Sequence, residues 1–347
     1  MKITHILWGL TMGGIESMVV NIINQQATTH NVELIVINNF YHSSLVKQVS
    51  SRCHLIMYHR KVSSKNPLPI LKLNLHLLKF NPDIIHIHSA GISKIILLPF
   101  PIVRTIHNTR NKCDEYPRMK RLFSISKTVQ AYTKEQGFDS ILVENGIPTK
   151  TFLSKDSVWN PNTILHVIQI GRLDIQQKGQ DILIDAIDKL VNSYEKKNIR
   201  VHLIGEGEDK SLLEKMIIDK KLEDFIIFEG VKTQAYLKEH LKDYDLLVQP
   251  SRYEGFGLTV AEAMASGLPV LVSDIEGPME IINHGKYGFH FKSEDTNNLA
   301  AELINILERG FDDSVIKEAQ KHVINKYDVS RTAASYLEYY QLYKHVN

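Results

Sequence analysis

The sequence of 347 residues lacks the features that mark a disulfide-stabilised or membrane-spanning protein. It contains two cysteines, Cys53 and Cys113, too few for a disulfide framework or a zinc site, and this scarcity is typical of a reducing, cytosolic setting. It also has no uncharged apolar run of about 18 residues, because His86 and His88, with a lysine, a glycine and two prolines, interrupt its most hydrophobic region, 84–103. A transmembrane helix is therefore not expected.

Low-complexity tracts and short internal repeats are also missing, and the 18 glycines and 11 prolines are ordinary numbers for a globular chain. This composition excludes the collagen-like and intrinsically disordered classes. The length is typical of two domains, since one domain usually takes about 100 to 200 residues. Each domain would be large enough to bury a core of its own.

The net charge is small, at +2, but it is unevenly distributed along the chain. Residues 1–150 carry 18 Lys and Arg against 8 Asp and Glu, a net +10, whereas the remaining residues carry 23 against 31, a net −8. A basic half indicates contact with an anionic partner such as a membrane, a nucleic acid or a sugar phosphate. No nucleic-acid-binding motif accompanies it, so no nucleic-acid partner is expected.

Short apolar runs alternate with longer segments of helical periodicity, which predicts βαβ units and parallel sheets. The predicted strands are 4–7, 32–37, 84–88 and 102–106 in the first half, and 164–170, 201–204, 225–228, 246–248 and 270–272 in the second. We expect two doubly wound domains, 1–155 and 156–326, followed by an aromatic-rich helix within 327–347. Ligands of such domains bind beyond the carboxyl ends of the strands, so the loops that follow strands are the places to look for motifs.

The first such motif is the pair Gly13 and Gly14, between the first predicted strand and a predicted helix over 16–26. Glycine permits close approach to the backbone, and a helix N-terminus presents N–H groups to an anion such as a diphosphate. The alternative interpretation is a tight turn between strand and helix.

The second motif is GRLDIQQKG, residues 171–179, which follows the predicted strand 164–170. It places Arg172 at the end of a strand and Lys178 at the start of a helix. Two cations on one rim suit a diphosphate whose negative charge grows as it leaves. The alternative is a pair of solvated surface charges, but the strand-to-loop position favours a function.

The third motif covers residues 248–282, where a buried strand, a glycine-rich turn and a helix of small residues follow one another. Glu254 precedes the helix and Glu262 lies inside it, with seven residues between them. Carboxylates at this interval can bind hydroxyls at two ends of one elongated ligand. The N–H groups of the turn Gly255–Gly257 can bind sugar hydroxyls or phosphate oxygens.

This third block resembles the Glu-x7-Glu motif of the retaining glycosyltransferases of family 4, a large group with the GT-B fold. Other segments match that family in the expected order: the glycines at 13 and 14, 83–89, 104–108, 145–147, 171–179 and 203–208. The resemblance covers nearly the full chain. It implies an α/β protein with two Rossmann-like domains facing across a cleft, and a C-terminal helix that returns to the first domain.

The resemblance also implies roles for individual residues. Arg172 and Lys178 would grip the donor diphosphate, Glu254 and the glycine-rich turn would meet the donor sugar, and Glu262 would bind the ribose. The residues implied in donor binding are Gly13, Gly14, Arg172, Lys178, Gly205, Val231, Glu254, Gly255, Phe256, Gly257, Leu258 and Glu262, and those implied in catalysis are Glu254, His107, Arg172 and Lys178.

Histidines and a pair of aspartates raise the question of a metal. His107 resembles the family histidine that faces the donor sugar, with a buried structural histidine as the alternative. His86 and His88 alternate along one strand, so they point to one face, where they are structural or line the acceptor site. Asp243 and Asp245 match the Asp-x-Asp metal motif of another glycosyltransferase fold, but they precede a buried strand and are expected to be structural. No metal or other cofactor is expected.

The basic first half predicts the face that meets the acceptor or a membrane. The family resemblance places the acceptor in this half, and Arg110, Lys112, Arg118, Lys120 and Arg121 lie within one short window with interleaved apolar residues. Such a segment can insert into an anionic membrane surface. A merely solvated basic face is the alternative.

The sequence therefore predicts a retaining hexosyltransferase. The donor would be a nucleotide-diphosphate sugar, with UDP favoured, carrying a hexose or N-acetylhexosamine. The acceptor would be a saccharide, lipid-linked through undecaprenyl diphosphate, in capsule, exopolysaccharide or lipopolysaccharide synthesis. We expect a cytoplasmic protein that attaches peripherally to the inner face of the plasma membrane. The alternatives are a nucleotide-sugar epimerase of the same fold and a non-catalytic nucleotide-sugar-binding protein.

Overall fold

A computed structural model describes residues 1–11, 13–109 and 118–344 of the chain. The strands are β1 (Lys2–Leu7), β2 (Asn31–Asn38), β3 (His54–Arg60), β4 (Ile84–Ile87), β5 (Ile102–Ile106), β6 (Arg121–Ser124), β7 (Ser140–Leu142), β8 (Leu165–Ile170), β9 (Ile199–Ile204), β10 (Ile226–Gly230), β11 (Leu246–Gln249), β12 (Val270–Ser273) and β13 (Phe289–Phe291). The helices are α1 (Gly14–Gln26), α2 (Ser43–Val46), α3 (Leu68–Phe80), α4 (Lys127–Glu135), α5 (Ile175–Lys178), α6 (Gln180–Asp188), α7 (Lys210–Asp219), α8 (Gln234–His240), α9 (Leu258–Ala265), α10 (Glu276–Ile281), α11 (Thr296–Arg309), α12 (Asp313–Lys326) and α13 (Val329–Tyr343).

The chain divides into two compact units. The first contains Met1–Pro148 and Tyr327–Asn347, and the second contains Thr149–Lys326. The division precedes the predicted boundary at residue 155, because the segment before that residue is bonded to the second unit. The backbone N–H of Leu153 donates to the carbonyl of Lys238 over 2.9 Å.

A parallel sheet forms the centre of the first unit, with the order β3-β2-β1-β4-β5-β6-β7 in the part that the structure describes. The order reverses between β1 and β4, which pair directly with His5 opposite His86. Strands such as β2 and β4 are buried along nearly their whole length, as expected of a parallel sheet with helices on both faces. The loops after β1 and β4 therefore meet at the switch point, where ligands of doubly wound sheets bind.

The last helix, α13, belongs to this first unit. It packs against α1, and the hydroxyl of Tyr336 hydrogen-bonds Thr105 of β5 over 2.9 Å. Tyr336 and Tyr340 are completely buried, since residues four apart share one helix face. The helix is joined to its unit at its start as well, because the backbone N–H of Val329 donates to the carbonyl of Ile147.

A second parallel sheet forms the centre of the second unit, with the order β10-β9-β8-β11-β12-β13. Its switch point lies between β8 and β11. Its core lies between this sheet and helices that include α6, α7 and α11, and contains Leu183, Leu213 and Leu303. Both units are thus Rossmann-like, and the predicted α/β fold class is confirmed.

Every predicted strand is present within one or two residues at each end, but four observed strands were not predicted: β3, β6, β7 and β13. Three of them are sheet edges, and β7 and β13 have three residues each. Among the described residues, no helix combines the length and the apolar character needed to cross a bilayer.

Candidate active site

The predicted donor residues of the second unit lie on loops that follow neighbouring strands. Arg172 and Lys178 come after β8, Gly205 after β9, and Glu254 after β11. Since β8 and β11 flank the switch point of the sheet, the loops that carry Lys178 and Glu254 emerge side by side at its carboxyl edge.

Glycines let these loops touch backbone to backbone. At Gly205, with a φ of +142°, an added Cβ would lie 1.9 Å from the carbonyl oxygen of Gly171. At Gly179, with a φ of +64°, it would lie 2.0 Å from the carbonyl oxygen of Pro250. Only glycine combines these positive φ angles with such contacts. The loops after β8, β9 and β11 are therefore fixed against one another.

An ion pair joins two of the predicted site residues. The ammonium group of Lys178 donates to Oε1 of Glu254. The same carboxylate oxygen accepts from Gln249 Nε2 over 3.1 Å and from Ser251 Oγ over 3.0 Å. Both charged side chains are largely buried, with 18% and 11% of their surface exposed. A carboxylate held in this way is a fixed acceptor, and the lysine beside it is a fixed cation.

Arg252 fixes the loop that carries Glu254, a role that the sequence did not reveal. Its guanidinium donates to both carboxylate oxygens of Asp181, over 2.9 and 2.7 Å, and to the carbonyl of Ile175. Its backbone N–H donates to the carbonyl of Gln177 over 2.9 Å. The hydrogen bonds to Asp181, followed by those to Glu294, raise the pKa of Arg252 above its already high value. The loop after β11 is thereby tied to both sides of Lys178.

Helix α9 begins directly after the glycine-rich turn. Gly257 is its N-cap, with a φ of +106° and no side-chain capping bond. The first N–H groups of α9, beginning at Leu258, are therefore oriented as donors toward the start of the helix. Such an end can bind an anion or a polarised hydroxyl.

Glu262, the second carboxylate of the motif, is buried within α9 and only 6% exposed. Burial raises its pKa to about 7, while a hydrogen bond from Gln234 and the charge of Lys238 oppose that shift. A carboxylate in such a position is costly for the fold, since its charge is removed from water. A buried carboxylate with a perturbed pKa is therefore a candidate for a functional role.

The remaining predicted donor residues lie at the same edge of the second sheet. Arg172 is exposed, and its carbonyl accepts from Gln180 Nε2 over 2.9 Å. The N–H of Gly205 donates to the carbonyl of Gly230 over 3.0 Å, next to the exposed Val231. The edge thus presents cations, N–H groups and a fixed carboxylate, a set that suits a diphosphate attached to a hydroxyl-bearing group.

The aspartates of the Asp-x-Asp match are bonded within the protein. Asp245 accepts from Lys155 Nζ over 3.0 Å and from the backbone N–H of His166 over 2.9 Å. Asp243 lies 2.7 Å from Nδ1 of His240. Asp245 therefore fixes the start of β11 beside β8.

In the first unit, Gly13 and Gly14 stand where α1 begins, with Gly13 as the N-cap. The helix has no side-chain cap there, and an added Cβ on Gly13 would meet the carboxylate of Glu16 at 2.3 Å. The described residues thus include an uncapped helix start after β1, at the switch point of the first sheet.

His107 ends a row of hydrogen-bonded side chains that crosses the first sheet. Its Nε2 lies 3.4 Å from Nδ1 of His88, whose Nε2 lies 3.0 Å from Nδ1 of His5. Nε2 of His5 lies 2.9 Å from Oε1 of Gln26 on α1. We refer to Gln26, His5, His88 and His107 as the histidine row. His5 was not predicted, since its register opposite β4 cannot be seen in the sequence.

His86 has a separate, structural role. Its Nδ1 hydrogen-bonds the hydroxyl of Tyr340 at 2.5 Å, and its Nε2 hydrogen-bonds Oγ1 of Thr105 at 2.7 Å. The rings of His86 and His88 are 4.1 Å apart, which confirms that they share a face of the sheet. His86 thereby connects β4 and β5 with α13.

Three of these buried histidines, His5, His86 and His88, bring ring nitrogens close enough to surround a metal ion. All six of their ring nitrogens already have hydrogen-bond partners. Burial lowers the pKa of each of the three, to about 4 for His5, and also lowers the pKa of His107 to about 3, with a smaller effect from Arg104. These four rings are neutral near pH 7.

The predicted basic face is only partly described, because Arg110 and Lys112 lie outside the described residues. Arg118 donates to the backbone carbonyls of Ser93, over 2.8 Å, and Ile96. Lys120 is exposed, and Arg121 is half-buried at the start of β6. Arg118 therefore supports the segment after β4.

Comparison with known families finds two matches that together cover most of the chain. Residues 152–324 match the family described as glycosyl transferases group 1. Residues 12–151 match the family described as Glycosyltransferase Family 4. The two matched regions correspond closely to the two units.

Among individual proteins, an uncharacterized glycosyltransferase of Methanocaldococcus jannaschii is 32% identical over 51% of this chain and 44% of its own length. The poly(ribitol-phosphate) alpha-N-acetylglucosaminyltransferase of Staphylococcus aureus is 31% identical over 47% of this chain and 33% of its own length. The matches thus span less than half the length of these relatives. The crystal structure of Anabaena HepE in complex with UDP-glucose superposes with a TM-score of 0.82, at 19% identity, over 99% of this chain and 100% of that one.

Proposed function

The chain belongs to the glycosyl transferases of group 1, with a family 4 amino-terminal region, and we propose that it is a retaining hexosyltransferase that uses a UDP-sugar. The observation that carries the proposal is the Lys178–Glu254 pair at the switch point of the second sheet. It joins a cation suited to a diphosphate and a carboxylate suited to sugar hydroxyls. The UDP-glucose in the similar HepE structure supports the choice of donor.

In the proposed reaction, the bond between the anomeric carbon and the diphosphate oxygen breaks, and its electron pair stays with the diphosphate. Positive charge develops on the sugar and negative charge on the leaving group. Lys178, Arg172 and the first N–H groups of α9 stabilise that negative charge, which lowers the barrier. We propose that these groups make a divalent metal unnecessary.

We propose that configuration is retained because the acceptor hydroxyl attacks from the face that the diphosphate leaves. The acceptor oxygen forms the new bond to the anomeric carbon, and its proton passes to an oxygen of the departing diphosphate. Glu254 is engaged by Lys178, Gln249 and Ser251, so it is a poor nucleophile and a good acceptor for sugar hydroxyls. Glu262 binds the ribose, and the neutral His107 contacts the donor sugar.

For the acceptor we propose an anionic saccharide or polymer, or a saccharide on undecaprenyl diphosphate. The net charge of +10 in residues 1–150 supports this choice. So does the relative whose name gives poly(ribitol-phosphate) as its acceptor. We propose that the protein works at the inner face of the plasma membrane, in the synthesis of a capsule, an exopolysaccharide or a lipopolysaccharide.

Nucleotide release from a panel of UDP- and GDP-sugars, with and without candidate acceptors, tests the proposal. We expect release with a UDP-sugar that an acceptor accelerates and that EDTA does not change. NMR of the product gives the configuration of the new linkage, which should match that of the donor. Epimerised nucleotide sugar without nucleotide release would establish an epimerase instead, and binding without turnover would establish a non-catalytic sugar-nucleotide binder.

Substitutions test the roles that we propose for individual residues in sugar transfer. Glu254→Ala and Arg172→Ala should abolish transfer while the protein stays folded. Lys196→Ala is the matched control, because Lys196 pairs with Glu308 at 2.9 Å on the exposed surface of the same unit. Activity like that of the wild type in both site variants would contradict the proposal.

A further inference from the structure

Helix α3 of the first unit exposes an apolar face that the sequence analysis did not single out. Its leucines at 68, 71, 75 and 78 are between 48% and 67% exposed. They recur at helical spacing and form one stripe, while Leu73 and Leu77 on the opposite face are buried. We call the exposed stripe, together with Leu97, the leucine face.

Leu97 extends this face beyond the helix. It is 65% exposed, and its N–H donates to Oδ1 of Asn74 on α3 over 2.8 Å. Nδ2 of the same asparagine donates to the carbonyls of Ile70 and Ile95. The segment after β4 is therefore fixed beside α3. Exposed large apolar side chains concentrated on one face mark an interaction surface.

The charges around the leucine face have one sign. Between Glu33 and Asp83 the sequence contains no acidic residue, and Lys72 and Lys79 lie exposed on α3. Both bounding carboxylates are bonded within the protein, Glu33 to His76 on the buried side of α3 and Asp83 to the start of β1. Glu33 is buried against Thr4 and His76, and Asp83 accepts from the N–H of Lys2.

We propose that α3 lies in the surface of an anionic lipid bilayer, with the leucine face inserted and the lysines at the headgroups. Apolar residues beside lysines, without acidic residues, are typical of helices that lie in this plane. A symmetric contact between two copies fits less well, because it would bring two lysine-bearing, acid-free faces together. The predicted basic face adjoins this surface, because the guanidinium of Arg118 donates to the carbonyl of Ile96, directly before Leu97.

Flotation of the full chain with phosphatidylcholine vesicles, with and without phosphatidylglycerol, tests the proposal without any sugar substrate. We expect binding that requires phosphatidylglycerol and weakens with salt. Leu75→Ser with Leu78→Ser should weaken it by at least about tenfold. Lys72→Glu with Lys79→Glu should weaken it similarly, since each cation near such a surface adds roughly fivefold in affinity.

The matched control is Leu212→Ser with Ile218→Ser on α7 of the second unit, where the side chains are 52% and 59% exposed. This variant should bind vesicles like the wild type. Thermal unfolding shows whether each variant is folded. If the leucine variant does not fold, the lysine variant still tests the proposal. Binding unchanged in both α3 variants overturns the proposal. So does a dimer in light scattering that the leucine variant dissociates.

The histidine row carries a second, independent inference. The structure orients the Gln26 amide with its oxygen toward His5, and in this orientation the oxygen accepts and His5 donates through Nε2. In a neutral ring, Nδ1 then accepts, so His88 must donate to it through Nε2. The same reasoning makes His107 donate to His88 through Nε2. Each ring thus determines the tautomer of the next.

We infer that Gln26 and His88 are positioning residues that hold His107 in the Nε2–H tautomer, with Nδ1 as an acceptor. The row lies within the first unit, so the inference stands whether or not the chain transfers a sugar. Burial keeps the pKa of these rings low, which fits their neutral form. In a transferase, an Nδ1 acceptor on His107 could receive a hydrogen bond from a sugar hydroxyl.

Long-range ¹H–¹⁵N NMR correlation of the full chain with ¹⁵N-labelled histidine distinguishes the tautomers, with single His→Gln variants for assignment. His5, His88 and His107 should all show the Nε2–H pattern, and a Nδ1–H pattern in any of them overturns the inference. Gln26→Met keeps the side-chain volume and removes the amide acceptor, so His107 should lose its single tautomer. Tyr336→Phe, which alters only the neighbouring Thr105 contact, should leave that pattern unchanged. An unchanged pattern in Gln26→Met also contradicts the inference.

Discussion

The two units share one architecture but carry different chemistry at their switch points. In the second unit, charged groups meet there, with Lys178 against Glu254 and Arg252 against Asp181. In the first unit, neutral histidines form a row through the sheet. Charges held in place suit a ligand that is itself ionic. Neutral rings suit hydrogen bonds to uncharged groups such as hydroxyls.

The difference also extends to how the loops are held. In the second unit, the loops contact one another backbone to backbone at glycines, and Arg252 ties the loop after β11 to Asp181. In the first unit, the polar groups are held by a helix from the far end of the chain, through Tyr336 and Tyr340. The same strand order is therefore compatible with two ways of fixing a site.

The largest effect should follow from removing the cation of the charged switch point. Lys178→Ala should lower kcat for transfer by about 10²- to 10³-fold, because charge on the leaving diphosphate is no longer compensated. Steady-state kinetics with a saturating donor measures it. Lys196→Ala should leave kcat unchanged, and an equal loss in that control would mean that the effect is not local.

Next in size should be a loss of stability when the glycine contacts are broken. Gly205→Ala places a methyl group 1.9 Å from the carbonyl oxygen of Gly171, so the free energy of unfolding should fall by roughly 2 to 4 kcal/mol. Gly137→Ala in the first unit is the control. It also has a positive φ, of +82°, but an added Cβ meets nothing within 4 Å. Equal losses in the two variants would show that backbone strain alone, and not the loop contact, sets the cost.

A smaller effect should follow when Arg252, whose guanidinium makes two parallel hydrogen bonds to Asp181, is replaced by lysine. Arg252→Lys keeps the charge but loses the paired contact with Asp181. We expect transfer to fall by about tenfold through misplacement of Glu254 and Lys178, with the fold retained. Arg200→Lys serves as control, since Arg200 donates to nearby backbone carbonyls. Kinetics of both variants, with circular dichroism as the test of folding, decide whether the contact between Arg252 and Asp181 positions the site. Equal activity in the two variants would show that it does not.

The last comparison concerns pH, on which the free energy of unfolding should depend with opposite signs in the two units. Free histidine titrates near 6.5, whereas the pKa of His5 is lowered to about 4. Below pH 6.5 the His5 ring is therefore protonated in the unfolded chain and stays neutral in the folded chain. His5 alone should therefore cost the first unit up to about 1.4 kcal/mol per pH unit as the pH falls from about 6.5 towards about 4.

Glu262 should act in the opposite direction, because burial raises its pKa from 4.5 to about 7. Between those values the folded chain keeps a proton that the unfolded chain has lost, so its contribution falls as the pH rises. Hydrogen exchange of peptides from β4 and α9, at pH 5 and pH 7, resolves the two contributions. If protection against exchange changed with pH in the same direction in both peptides, the comparison would be contradicted.

Much of the fold could be predicted because buried parallel strands are continuous apolar runs. The strands that were missed are short or lie at edges, where one side faces water and the pattern is diluted by polar residues. β3, for example, contains His54, His59 and Arg60 among its seven residues. The return of α13 was predicted from the family resemblance, and the tyrosine spacing gives it a physical basis.

The site was predictable where a motif lies on one loop and not where distant residues meet. Gly257 and Glu262 follow from local pattern. The contact between Lys178 and Glu254, and the clamp from Arg252 to Asp181, join residues more than 70 positions apart. His5 belongs to the histidine row only through its register with His86. Such pairings depend on strand order and register, which no local pattern specifies.

The packing of α13 has a consequence for biosynthesis. A ribosome releases the chain in order, yet the partner of His86 is Tyr340, 254 positions later. The second unit is continuous, from Thr149 to Lys326, so it can complete its contacts while the first unit still lacks a helix. The half that starts first therefore finishes last, because α1 and β5 gain their contacts with α13 only at the end of synthesis.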